Sequence, residues 1–150
     1  MCSTPIPSPY ADLAFLSKKD LHSLADGLIS KDQWSIDHCV DFVIAETKGL
    51  WHGRARAMMC RRLKHCDLGR KQRTQLVQAI SERLANGEFS EQFQDQLRLA
   101  IHLDAKAIAV GAYRALEGEK SHAIRYAQWV LSHEKLQHCI QPGRFPRRII

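Results

Sequence analysis

No stretch of this 150-residue chain is apolar for long enough to cross a bilayer. The longest uninterrupted run, 107–113, has seven residues and includes a glycine, against the roughly 18 that a spanning helix needs. The opening residues MCSTPIPSPY lack both the basic start and the apolar stretch of a signal peptide, so a cytoplasmic chain without a membrane partner is expected. Cysteine is sparse and irregular: Cys2, Cys39, Cys60, Cys66 and Cys139 are odd in number and contain no C-x-x-C pair. That argues against a disulfide framework or a zinc ribbon and leaves Cys39 and Cys60, set among apolar residues, as small core hydrophobes. The eight glycines form neither G-x-x-x-x-G-K nor G-x-G, which excludes a phosphate loop. Nothing resembles a nucleophile elbow. No catalytic residue, metal ligand or cofactor is assigned.

Two apparent metal motifs fail on helix geometry. His133 and His138 bracket H-E-K-L-Q-H, one residue longer than the zinc-peptidase pattern, and helical residues five apart diverge by roughly 140°. The pairs His38-Cys39, His65-Cys66 and His138-Cys139 place adjacent side chains about 100° apart, so each pair offers one ligand at most.

What the chain does have is helical periodicity. Ser8-Pro9 and Tyr10 to Leu16 read as a short opening helix, and Ser17 with Asp20 forms a capping-box pattern before Leu21, Leu24, Ala25 and Leu28. Ser35 is read as the cap of a helix carrying Ile36, Cys39, Val40 and Val43 and ending near Gly49. Further helices are expected over 50–64, over 70–86 before Gly87, after Ser90, after Asp104, and after Ser121. No alternating strand pattern occurs. The expectation is an all-α domain over residues 9–140, with six or seven helices in stacked antiparallel αα-hairpins, as a short repeat array or an irregular bundle, between a flexible arm (1–8) and a basic tail (141–150).

The turns Gly87-Glu88-Phe89-Ser90 and Gly118-Glu119-Lys120-Ser121 are alike at an offset of 31. Gly111, Gly118, Ala123 and Ala127 fall at the small-residue spacings of a tetratricopeptide repeat, without its aromatic positions or closing proline. Leu97-Arg98-Leu99-Ala100 and Ile124-Arg125-Tyr126-Ala127 resemble the second helix of a HEAT repeat, one residue short before the alanine, and are offset by 27. The resemblance to these helical repeat families covers residues 35–135 and implies a small curved stack that binds a partner on its concave face.

Charge is the least average property. The chain nets +6, yet residues 48–73 alone hold nine basic residues against Asp67. Within the helix expected over 50–64, Arg54, Arg61 and Lys64 share one sector, whereas Arg56 points with His52, Met59 and Leu63 to an otherwise apolar side. A guanidinium buried there needs acceptors, and Glu46, with Asp37 and Asp41, is the nearest supply in sequence.

Three readings follow. In the first, the arginines are scaffold paired with neighbouring acids, and the domain is a non-enzymatic adaptor that engages a protein partner through a groove. In the second, Arg54, Arg56, Arg61, Arg62, Lys64, Arg70, Lys71 and Arg73 form a basic patch for RNA or another polyanion. In the third, Glu46, His52, Arg54 and Arg56 converge as an active site for a small anionic metabolite. Base-specific DNA reading by the 70–103 hairpin is disfavoured, because its second helix opens with Glu91 and Asp95 where phosphates would lie. Phe145, Ile149 and Ile150 of the tail offer a docking element, so homo-oligomerisation stays open.

Overall fold

The computed structural model describes residues 13–89 and 92–136. It holds six helices, α1 (Lys18–Ile29), α2 (Gln33–Ala45), α3 (His52–Leu63), α4 (Arg70–Asn86), α5 (Phe93–Leu116) and α6 (Ser121–Leu131), with single 3-10 turns at Leu13–Phe15 and Glu134–Leu136. No strand occurs among the described residues. The fold is the expected all-α bundle. The arm at 1–8 and the tail at 141–150, with Phe145, Ile149 and Ile150, lie outside the described residues, as do Cys2, Ser8, Pro9, Tyr10, Ser90, Glu91, His138 and Cys139.

The bundle is assembled around α5, which packs against α3, α4 and α6, while α1 bridges α2 and α3. Its core is drawn from every helix, with Leu21, Val40, Leu63, Ile80, Leu97 and Val130 all buried. Cys39 and Cys60 are fully buried, as their apolar neighbours implied. Burial pushes both thiols up to about 12, so each packs as a neutral hydrophobe.

The helix ends show which local signals prevailed. At α1 the capping box forms: the Asp20 N–H donates to Ser17 Oγ at 3.2 Å, and the Ser17 N–H donates to Asp20 Oδ2 at 3.1 Å. At α2 the cap is Asp32 rather than Ser35. The Ser35 N–H and hydroxyl both donate to Asp32 Oδ2, at 3.0 and 2.9 Å, and Ser35 itself is buried under Gly27 of α1. The same helix stops at Ala45, before Gly49, because Glu46 turns into the left-handed region (φ 49°, ψ 49°). Asp104 does break the chain as expected: it leaves helical geometry (φ −160°, ψ 91°) and accepts a hydrogen bond from the Ala107 N–H. The two halves nevertheless run on as one kinked element. The last helix begins at Ser121 with Lys120 in the cap position, its ammonium donating instead to the Asn86 carbonyl at 2.8 Å.

The paired turns differ in backbone. Gly87 is left-handed (φ 68°) and closes α4 by donating to Leu84 O, while the Glu88 N–H donates to Arg83 O. Gly118 is not left-handed, and α6 starts three residues beyond it, whereas α5 starts six beyond Gly87. Similar letters at an offset of 31 therefore do not make equivalent turns.

Gly111 sets the separation of α4 and α5. A methyl group there would lie 2.2 Å from Ser81 Oγ and 3.0 Å from the Ser81 carbonyl oxygen. Gly111→Leu is expected to destabilise the fold by about 1–3 kcal/mol through overpacking, read as a lower urea midpoint at unchanged slope.

Candidate functional site

Helix α3 separates the basic segment instead of presenting it as one face. Arg56 is 1% exposed; its side chain passes over the Phe42 ring, with Cζ 5.4 Å from the centroid, and Nη2 donates to the Thr47 carbonyl. Its membership of a surface patch is thereby corrected: the helical phase that placed it beside His52 and Met59 points it inward. Arg61 pairs with Asp95 of α5 at 2.7 Å. Arg62 donates to the Ala25 carbonyl of α1 at 2.7 Å and meets Asp26 at 3.3 Å. Arg73 donates to the Leu103 carbonyl at 3.2 Å. Lys64 is half-buried, and Arg70 and Lys71 are exposed at the start of α4. Arg54 is exposed and lies against Trp51, Cζ 5.6 Å from the ring centroid.

Arg56 has a counterpart that the sequence did not single out. Arg83, on α4, is nearly buried; its Nε lies 2.6 Å from Glu46 Oε2, Nη1 donates to Gln96 Oε1 at 2.8 Å, and Nη2 donates to the Ile44 carbonyl. Burial lowers the pKa of both Arg56 and Arg83, and the Glu46 carboxylate opposes that shift in each. Glu46 therefore serves two guanidiniums from two helices. Asp37 and Asp41 play no such part; Asp37 accepts from Gln33 and Gln72, both by Oδ1. The helical phase of Arg56 hinted at its burial, whereas Arg83 follows an unremarkable apolar stripe and is drawn in by packing alone.

His52 is buried and engaged on both nitrogens: Nε2 donates to the Leu16 carbonyl at 3.0 Å, and Nδ1 faces Thr47 Oγ1. A carbonyl can only accept, so Nε2 carries the proton. The imidazole locks the 47–52 loop to the amino-terminal turn and does not line the space beside Glu46. The acid–base pairing of Glu46 with His52 is thus not assembled, although both stand near Arg56.

The 45–51 loop forms one wall of a groove of about 1590 Å³. The groove is lined by Lys48, Leu50, Trp51 and Arg54 from the loop and the start of α3, by Glu82, Arg83, Glu88 and Phe89 from the end of α4 and the turn after it, and by Glu46 and Arg56. Leu50 is 83% and Trp51 40% exposed. Of the four described non-glycine residues with positive φ, three (Glu46, Trp51 and Gln92) line this groove. Such conformations cost energy and concentrate at binding sites. A second cleft, of about 520 Å³, lies where α5 breaks and is lined by Arg70, Arg73, Thr74, Asp104 and Arg114 among others. No group of residues able to hold a metal ion occurs among the described residues. No family model, curated protein or solved structure matches the chain.

Arg83→Met keeps side-chain length but removes the buried ion pair with Glu46 and the hydrogen bonds to the Ile44 carbonyl and Gln96. Breaking such a buried pair costs about 3–5 kcal/mol, so the variant is expected to unfold at clearly lower denaturant, checked by circular dichroism in a urea titration.

Proposed function

We propose that this domain is a non-enzymatic binding module that receives a segment of a partner protein in the groove between the 45–51 loop and the end of α4. The observation that carries this reading is the groove's make-up: an open trough of about 1590 Å³ whose wall presents the exposed Leu50 and Trp51. Pockets that enclose small molecules run to about 300–1,000 Å³ and bury most of the ligand. An open trough of this volume with apolar anchors suits an extended or helical peptide better than a metabolite. A loop held in place from beneath limits the ordering cost of binding.

A polyanion reading is favoured by one separate feature, the cleft containing Arg70, Arg73 and Arg114. Arg70 and Arg114 make no ion pair among the described residues. If that cleft is the functional surface, single-stranded RNA binds with affinity that falls steeply with salt, and Arg70→Ala with Arg114→Ala abolishes it.

The groove reading is tested by selecting a random peptide library against the folded protein. Enriched peptides should bind at micromolar affinity and lose about tenfold or more when Leu50→Ser and Trp51→Ser remove the apolar anchors. Absence of enrichment, or unchanged affinity for the double variant, would overturn it.

A further inference from the structure

We infer that the segment received by the groove is acidic, with a bulky apolar side chain flanked by carboxylates; this rests on the groove being a partner site. Around the exposed Leu50 and Trp51 stand three cations from three parts of the chain. Lys18, at the start of α1, holds its ammonium 4.0 Å from the Trp51 ring centroid, Arg54 of α3 lies at 5.6 Å, and Lys48 lines the same wall. All three residues are exposed, and none makes an ion pair among the described residues. That separates them from Arg61, Arg62 and Arg83, each of which meets an acid. Exposed apolar area at Leu50 and Trp51 thus stands among cations that form no ion pair among the described residues. Its complement is a hydrophobic anchor between carboxylates, which the cations steer into place and hold.

Acids that share the groove sharpen the choice. Glu82 and Glu88 also line it, so a uniformly charged polyanion filling the trough would meet carboxylates. Leu50 offers an aliphatic anchor without hydrogen-bonding capacity. A protein segment can set its acids against the cations and spare the carboxylates; a nucleic-acid strand, charged at every phosphate, cannot.

The test is fluorescence anisotropy on the full chain with three labelled probes: a short synthetic peptide carrying Leu-Phe between runs of Glu and Asp, the same peptide with Lys and Arg in place of the acids, and an oligo-uridine RNA. Two variants accompany the wild type, Lys18→Glu/Lys48→Glu/Arg54→Glu, confined to exposed side chains, and Leu50→Ser/Trp51→Ser. The acidic peptide should bind at least about tenfold more tightly than the basic one, weaken with salt, and lose that advantage in the charge-reversed variant. Equal binding of both peptides, both lost with Leu50→Ser/Trp51→Ser, would overturn the acidic assignment while leaving the groove reading standing. Failure of both peptides to bind would overturn the two together. Tighter binding of the RNA, lost on charge reversal, would reassign the wall to nucleic acid.

Discussion

Two guanidiniums, Arg56 from α3 and Arg83 from α4, enter the interior beside a single carboxylate, and most of the local architecture follows from that requirement. Charges removed from water must be paired and fully hydrogen-bonded or the cost of burial goes uncompensated. Glu46 supplies the charge, and the carbonyls of Ile44 and Thr47 on either side of it accept guanidinium N–H groups. To present those groups the chain leaves helical geometry after Ala45 and turns left-handed at Glu46. His52 then ties the far end of the loop to Leu16, through a ring that packs 5.1 Å from Phe42. Gly49 is small where a Cβ would collide with that ring, at 2.6 Å from Nε2. The loop is therefore held from beneath, which leaves Leu50 and Trp51 standing outward.

The concentration of arginines in residues 48–73 acquires two separate meanings once folded. Arg56, Arg61, Arg62 and Arg73 are consumed as scaffold, reaching the 45–51 loop, α5, α1 and, just before its break, α5 again. The long stems and planar heads of Arg56, Arg61 and Arg62 let α3 bridge three neighbours, a task for which compact lysine ammoniums are poorly shaped. Arg54, with Lys48 and Lys18, forms no ion pair among the described residues and stands beside the exposed Leu50 and Trp51.

Much of the fold was legible in the sequence because its signals are local. Apolar periodicity located the helices, the Ser17–Asp20 box and Gly87 marked ends, and Asp104 marked the break in α5, each through hydrogen bonds within a few residues. Ser35 misled because two capping residues stand three apart, and the serine was used by Asp32 and by close packing on Gly27. The end of α2 was missed because a left-handed glutamate has no sequence signature; its carboxylate pairs with Arg83, thirty-seven positions away. The inward direction of Arg56 was visible in its helical phase. The groove was not, since it exists only where the loop, α3 and the end of α4 come together, and sequence neighbours alone put His52 beside Glu46 when tertiary hydrogen bonds turn it away.

The Glu46 network holds the 45–51 loop in place. Native-state hydrogen exchange in Glu46→Gln tests it most directly. Removing one charge while keeping shape should raise exchange at the amides of residues 44–54 by about tenfold or more relative to those in α5 and α6. Uniform acceleration across all helices would mean that the network only adds global stability, and unchanged exchange in the loop would contradict the account outright.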